Sequence, residues 1–424
     1  IARRRPPVNH KGFANPTQAW YNVSHRCFTN FVKEPAIMID FVFQNPTKIY
    51  FGKSALSNLK SEAAHWGEWV LLVYGGGSIK RTGVYDQVMA QLAGMQVWEL
   101  GGVHPNPRLS LVREGIRLCR EHGIQLVLAV GGGSAIDTAK AIANGACYDG
   151  DVWDLFDGKG ENTEVLPLGT VVTIPAAGSE MSNSSVITRE EDLCKRGRNT
   201  PLNFPKFSIL NPEFTYTLPP FQTACGVVDI MAHMMERYFT RVTHVELIDR
   251  MTEGALKTVV GNAPIVMHEP ENYDARAEIM WAGCLAHNTL FQTGRVGDWA
   301  SHKLEHELSA LYDIAHGAGL AIVFPAWMKY ALAHGGEAKL AQFAVRVFDV
   351  PVSGDDAADA AEGIRRLEAF YRSLGLTTTL TENGIGDTDF SRMAERAVAL
   401  AGGTLGQFVP LKAADCEAIY RLAL

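Results

Sequence analysis

Two apolar runs of strand length end in the same four residues, and that repetition constrains the fold more than any other feature of the chain. EWVLLVY (68–74) runs into GGGS at 75–78, and IQLVLAV (124–130) runs into GGGS at 131–134. Each tetrapeptide opens a segment of helical period, GVYDQVMAQLAG after the first and AIDTAKAIANGA after the second. A strand that turns on glycine into a helix, twice over, predicts parallel strands joined by helical crossovers and covered on both faces. QVWELGGV and PLGTVVTIPAAGSE add strands and RLSLVREGIRLCREHG adds a helix. FPKFSILNPEFTYTLPP (204–220) closes the region with prolines.

Beyond Phe221 the strand signal fades. TACGVVDIMAHMMERYFT, HVELIDRMTEGALKTVVGNAP, DARAEIMWAGCLAHNTLFQT, DWASHKLEHELSALYD and later segments through AADCEAIYRLAL repeat apolar residues at helical spacing. The expected architecture is an α/β unit with a parallel sheet over 38–220 and an all-α unit over 221–424. The first 36 residues hold six Lys or Arg against one acid and show no periodicity. They lack the apolar core of about 7–15 residues that a secretory signal needs. Residues 1–37 are expected to be an appended or disordered leader, a transit peptide being the weaker alternative, with the natural chain starting near Met38.

At 424 residues, 47% apolar and 20% charged, the chain is long enough to bury two cores. Its net charge of −7 lacks the basic footprint of a nucleic-acid binder. No apolar run approaches the roughly 18 residues of a membrane-spanning helix. Seven cysteines (27, 119, 147, 194, 225, 284, 416) lie scattered without a C-x-x-C pair, which fits unpaired thiols in a reducing compartment and a cytoplasmic location.

Glycine at a strand-to-helix turn admits a ligand against the backbone, and the free N–H groups of the helix attract phosphate. Two such turns suit a dinucleotide, although the third glycine of G-x-G-x-x-G is replaced by Ile136. Asp137 is a candidate acceptor for a ribose or carboxamide; a surface pair with Lys140 is the other reading. In YGGGSIKR no acid is available for an adenosine ribose, only Ser78, Lys80 and Arg81 after Gly76 and Gly77. That favours NADP(H), with NAD(H) as the alternative.

Asp229 and His233, in VVDIMAHMME, stand four residues apart on an expected helix and so share a face. His302 and His306 repeat that spacing, and His316 follows before Gly317. One carboxylate and several imidazoles make a site for a divalent ion such as Fe²⁺ or Zn²⁺. Spacing alone does not choose among the histidines. The other nine, His287 among them, read as ordinary core or surface residues. HEL at 306–308 is no zinc-protease motif, since Ala310 stands where the second His belongs, and AAGSEMS lacks the G-x-S-x-G frame of a hydrolase.

Taken together, these features resemble the iron-containing alcohol dehydrogenase family, and within it the NADPH-dependent butanol dehydrogenase and aldehyde reductase branch. The resemblance runs from Met38 to Leu424 through NPTKIYFGKSAL, YGGGSIKRTGVYDQV, GGGSAIDTAKAIA, TIPAAGSEMSNSSVIT, FPKFSILNPEFTYTLP, VVDIMAHMMERY and DWASHKLEHELSALYDIAHGAGLAIVFPAWMKY. It implies an N-terminal dinucleotide-binding α/β domain, a helical C-terminal domain, a metal in the cleft between them and a homodimer. By the same resemblance the metal ligands are Asp229, His233, His302 and His316, and His306 lies beside the nicotinamide; the proton is expected to pass through His306, an imidazole titrating near the working pH, or through the ribose hydroxyls. The pyrophosphate loop falls on Gly132, Gly133 and Ser134 with Asp137 toward the nicotinamide, and further cofactor contacts fall on Asn106, Thr173, Ser182 and Lys195. Gly76 stands where an NAD-selecting acid would be. Ala177 departs from the family's threonine, which removes one hydroxyl contact. The implied reaction is hydride transfer between a nicotinamide and a small or medium primary alcohol or aldehyde. Two rivals share parts of this pattern: a glycerol dehydrogenase or dehydroquinate synthase relative, and a non-catalytic nucleotide-binding relative.

Overall fold

The computed structural model describes residues 37–424; the expectation for the leader falls, but for Ile37, outside them. Eight strands are formed: β1 (Lys48–Phe51), β2 (Trp69–Tyr74), β3 (Gln96–Leu100), β4 (Leu126–Gly131), β5 (Leu168–Val172), β6 (Ser184–Arg189), β7 (Cys194–Asn199) and β8 (Phe207–Leu210). Six of them make one parallel sheet in the order β1-β8-β5-β4-β2-β3. β4, β5 and β8 are buried along their whole length, which is why they read as continuous apolar runs.

Alternation along each strand splits the apolar residues between two layers. Leu71, Val73, Val127 and Ala129 pack with Val112, Ile116 and Ile142 on one face. Val70, Leu72, Leu126 and Leu128 pack with Leu59, Ala63 and Val88 on the other. The helices supplying these layers are α1 (Leu59–Trp66), α2 (Ser78–Arg81), α3 (Val84–Gln91), α4 (Leu109–His122), α5 (Gly133–Ala146) and α6 (Val152–Asp157). Strand order reverses between β2 and β4, so both GGGS turns lie at the carboxyl ends of adjacent strands, where a parallel sheet opens a ligand crevice.

The remaining elements are helical: α7 (Pro220–Tyr238), α8 (Glu246–His268), α9 (Tyr273–Ala286), α10 (Ala300–Tyr312), α11 (His316–Leu332), α12 (Glu337–Phe348), α13 (Asp356–Ser373), α14 (Phe390–Leu400) and α15 (Ala413–Leu422). Phe239, Phe324, Trp327 and Phe343 form the centre of their core. The molecule is thus an α/β unit followed by a helical one. Several elements were not read from the sequence: the short β1, α1 and α6, the later α14, and an antiparallel hairpin of β6 and β7 whose polar sequence, CKRGRN in its second strand, lacks strand alternation. One close approach fixes the helical half. A Cβ on Gly317 would lie 2.1 Å from the Cys225 carbonyl oxygen, so only glycine lets α11 begin against α7. Among the described residues no helix is long and apolar enough to cross a membrane.

Candidate active site

A cavity of about 1700 Å³ runs from the carboxyl ends of β2, β4 and β5 to the helices α7, α10 and α11. Both GGGS turns border it, and so do Asp229, His233, His302, His306 and His316. Asn106, Thr289 and Trp299, three of the seven described non-glycine residues with left-handed backbones, also line it. Strain of that kind persists where surrounding structure over-determines the backbone, as binding sites do.

One carboxylate gathers the imidazoles. Asp229 and His233 project from the same face of α7, and a ligand atom from each lies within 4.8 Å of one from His302. His302 Nε2 stands 3.9 Å and His316 Nε2 3.8 Å from Asp229 Oδ1. Ligands at about 2.0–2.2 Å around a tetrahedral ion are about 3.3–3.6 Å apart, so these separations need only slight contraction. His302 Nε2 is buried and has no hydrogen-bond partner among the described residues, and Asp229 Oδ1 is buried beside His233, whose Nδ1 lies 2.9 Å away. Acceptor atoms facing one another without a proton between them are costly unless a cation joins them. The residues present fit a divalent metal.

The other nitrogen of each ring is held by the protein. His233 Nδ1 bonds the Asp229 carbonyl at 2.9 Å, His302 Nδ1 bonds Glu236 Oε1 at 2.9 Å, and His316 Nδ1 bonds Glu305 Oε2. Such partners fix the tautomer and aim the free nitrogen. Glu236 also accepts the backbone N–H groups of Trp299 and His302, which pins the start of α10 to α7. Burial alone would raise the Asp229 carboxyl; the imidazoles of His233, His316 and His302 outweigh it and hold it well below the usual carboxylate range. Burial would also raise Glu305, but His316 and Lys195 lower it. His302 is pushed well down, first by burial and then by its neighbouring imidazoles.

His306 lines the cavity with its ring centroid 5.6 Å from that of His316. Burial, then Lys195 and His316, push it well below the ordinary imidazole value. That direction runs against the expectation of a group titrating near the working pH. His287, which the sequence left among the ordinary histidines, packs beside the cluster: its ring centroid lies 4.4 Å from that of His233 and 5.9 Å from that of Trp299, tilted to both, and its Nδ1 bonds the Ala177 carbonyl.

On the sheet side, Gly76, Ser78, Arg81, Gly132, Gly133, Ser134, Asp137, Thr173, Ser182, Asn106 and Lys195 all border the cavity. Several are already engaged. Asp137 accepts from Ser179 Oγ at 2.6 Å and Val186 N–H at 2.9 Å. Ser182 is fully enclosed, its hydroxyl accepting from Ser184 N–H and lying 3.4 Å from Lys140 Nζ. Lys140 is no surface residue: it is wholly buried and donates to the carbonyls of Ser179, Ser182 and Ser184. Gly77 and Lys80 do not border the cavity; Lys80 Nζ bonds Glu99 at 3.0 Å and sits over the rings of Tyr74 and Tyr85. Lys195 Nζ donates to Asn106 Oδ1 at 3.0 Å and to Ser309 Oγ at 2.8 Å.

Residues 46–212 match the family model described as iron-containing alcohol dehydrogenase, and residues 223–424 match that of its C-terminal domain. The chain belongs to the iron-containing alcohol dehydrogenase family. Among curated members, the probable NADH-dependent butanol dehydrogenase 1 of Bacillus subtilis is 48% identical, covering 91% of this chain and all of that one. The NADPH-dependent aldehyde reductase YqhD of Escherichia coli is 41% identical over 82% of this chain and 90% of its own. The crystal structure of NADH-dependent butanol dehydrogenase A from Thermotoga maritima superposes with a TM-score of 0.87 at 40% identity, covering 92% of this chain and 99% of that one. These relatives divide between NADH and NADPH in their names, so the family match leaves cofactor preference open.

Within this member of the family, the sequence reading missed the acids behind the ligands. Glu236 lies three residues after His233, on the face that carries Asp229 and His233, and Glu305 lies three after His302. The same helical arithmetic that paired the ligands would have found them.

Proposed function

We propose that this chain is a metal-dependent, NADPH-preferring enzyme that interconverts small or medium primary alcohols and aldehydes, with the dinucleotide held by residues 38–220 and the metal by 221–424. The observation that carries the reading is the convergence on one buried carboxylate oxygen, Asp229 Oδ1, of His233, His302 and His316, with His302 Nε2 buried and unpartnered among the described residues. A divalent ion bound there supplies Lewis acidity toward a carbonyl oxygen, and a nicotinamide supplies hydride. Asp229, His233, His302 and His316 are the proposed ligands; this oxygen-and-nitrogen set accepts either iron or zinc.

The chain's own residues then do three things. Glu236 and Glu305 keep the imidazoles aimed at one centre. Trp299 and His287 pack their rings against His233 and so hold it in place within the cavity. His306, which lines the cavity beside His316, is the proposed acceptor and donor of the proton at the alcohol oxygen. Gly132, Gly133 and Ser134, at the start of the fourteen-residue α5, are the proposed pyrophosphate seat. Ser78 and Arg81 border the cavity, Arg81 without an ion pair among the described residues, and favour a phosphorylated ribose.

The described cysteines are all free, which fits a cytoplasmic enzyme. A homodimer is supported by exposed apolar residues in the segment that leads into the edge strand β1, Phe43 among them. The test is an aldehyde panel assayed anaerobically with NADPH and with NADH after loading iron or zinc. Reduction should require metal, and His306→Ala should lower turnover about a hundredfold while retaining one metal per chain. Metal lost from that variant, or turnover without metal, would sink the assignment.

A further inference from the structure

The two halves of the cleft are joined by a chain of buried polar contacts that neither the pyrophosphate seat nor the metal ligands require. Lys195 enters from the β6–β7 hairpin, 7% exposed, and its ammonium sits between three partners. Asn106, in the loop after β3, accepts at 3.0 Å; Ser309 of α10 accepts at 2.8 Å; and Glu305 Oε2, wholly enclosed, lies 3.7 Å away. That same Glu305 oxygen accepts from His316 Nδ1, whose Nε2 faces Asp229. Asn106 is tied across the cleft a second time, its Nδ2 donating to Asp313 Oδ1 at 3.1 Å, three residues before His316. Arg108 bonds the same Asp313 oxygen.

The path therefore runs from two cavity-lining residues of the α/β half, Asn106 and Lys195, to the far nitrogen of an imidazole in the metal cluster. A ligand that fixes Lys195 and Asn106 also fixes Glu305, and Glu305 sets how His316 presents its free nitrogen. A group ordered once by the first ligand need not be ordered again by the second. We propose that Lys195 is a positioning residue that couples the two sites, so that a bound nicotinamide dinucleotide tightens metal binding through Glu305 and His316. The inference rests on the reading above that Asn106 and Lys195 border the cofactor and that His316 is a ligand. Linkage requires reciprocity: zinc must tighten dinucleotide binding by the same factor.

The experiment uses the full chain and redox-silent Zn²⁺. Zinc affinity is measured by competition with a chromophoric chelator, with and without NADPH at a concentration shown to saturate each variant by nicotinamide fluorescence. In the wild type NADPH should raise zinc affinity about tenfold, within the usual range of coupling between sites. Lys195→Met should reduce that ratio to below about twofold, and Ser309→Ala, which removes one anchor without touching the lysine, should leave about threefold. A purely structural role for Lys195 would weaken zinc equally with and without NADPH and leave the ratio at its wild-type value. Retention of the tenfold ratio in both variants, or its absence from the wild type, overturns the coupling. Zinc bound as tightly by His316→Ala as by the wild type would instead overturn the ligand assignment beneath it.

Discussion

The two GGGS turns share a sequence and differ in almost everything else. A Cβ on Gly132 would meet Ile174 at 2.8 Å, on Gly131 it would meet Ala135 at 2.8 Å, and on Gly133 it would meet Ala177 at 3.2 Å. A Cβ on Gly76 or Gly77 would meet nothing within 4 Å; Gly77 is constrained only by its φ of +89°. The second turn leads into the fourteen-residue α5, most of it buried, and the first into the four-residue α2. Glycine is thus demanded by packing at 131–133 and by backbone conformation at 77. A crowded turn at the head of a long helix gives anchored N–H groups to a phosphate, whereas an open turn gives space in which side chains choose among ligands.

The sharpest way to break this contrast is to add one methyl group to each turn. Gly132→Ala must displace Ile174, itself a cavity residue, and should cost about 1–3 kcal/mol of stability. It should also raise the KM for either dinucleotide at least tenfold, because the displaced wall carries the pyrophosphate seat. Gly76→Ala, with open space and no left-handed φ, should change melting temperature and KM by less than the scatter of replicate assays. Equal effects from the two substitutions, read by thermal unfolding and cofactor titration, would erase the distinction.

How legible this was depended on where the partners lie in the chain. The parallel sheet was readable because each strand, turn and helix is contiguous. Asp229 with His233 and His302 with His306 were readable because four-residue spacing is local. The hairpin that brings Lys195 into the cleft was not, since CKRGRN carries no strand alternation and the partners of Lys195 lie 89 and 114 residues away. The place of His287 beside the cluster was not legible for the same reason: its contacts with His233 and Ala177 come from tertiary packing and leave no periodic trace. Lys80 was misread in the opposite direction. YGGGSIKR looks like an open basic patch, but Glu99 approaches from the neighbouring strand β3.

A middle-sized effect separates the cofactors. Arg81 borders the cavity beside the open turn and has no ion pair among the described residues. Arg81→Ala should raise the KM for NADPH roughly five- to tenfold, the scale of one charge-assisted hydrogen bond at a partly exposed site, and leave that for NADH unchanged. Parallel changes for both dinucleotides would mean that the first turn contributes bulk rather than selection.

A smaller effect on cofactor choice is expected at Lys80, one residue earlier, and it bears most directly on how the open turn works. If net positive charge near the turn were what selects a phosphorylated ribose, Lys80→Ala and Arg81→Ala would act alike. Lys80, however, is turned from the cavity, bonded to Glu99 and seated over Tyr74 and Tyr85, and Glu99 also accepts from both tyrosine hydroxyls at 2.7 Å. Its charge is thereby offset by an adjacent carboxylate and screened by solvent. Lys80→Ala should therefore change the ratio of kcat/KM for NADPH to that for NADH by less than about twofold at physiological salt. At low ionic strength, where screening weakens, the ratio should move slightly more. A change as large as that of Arg81→Ala would require Lys80 to leave Glu99 when the cofactor binds, and the open turn would then select by rearrangement rather than by its resting shape.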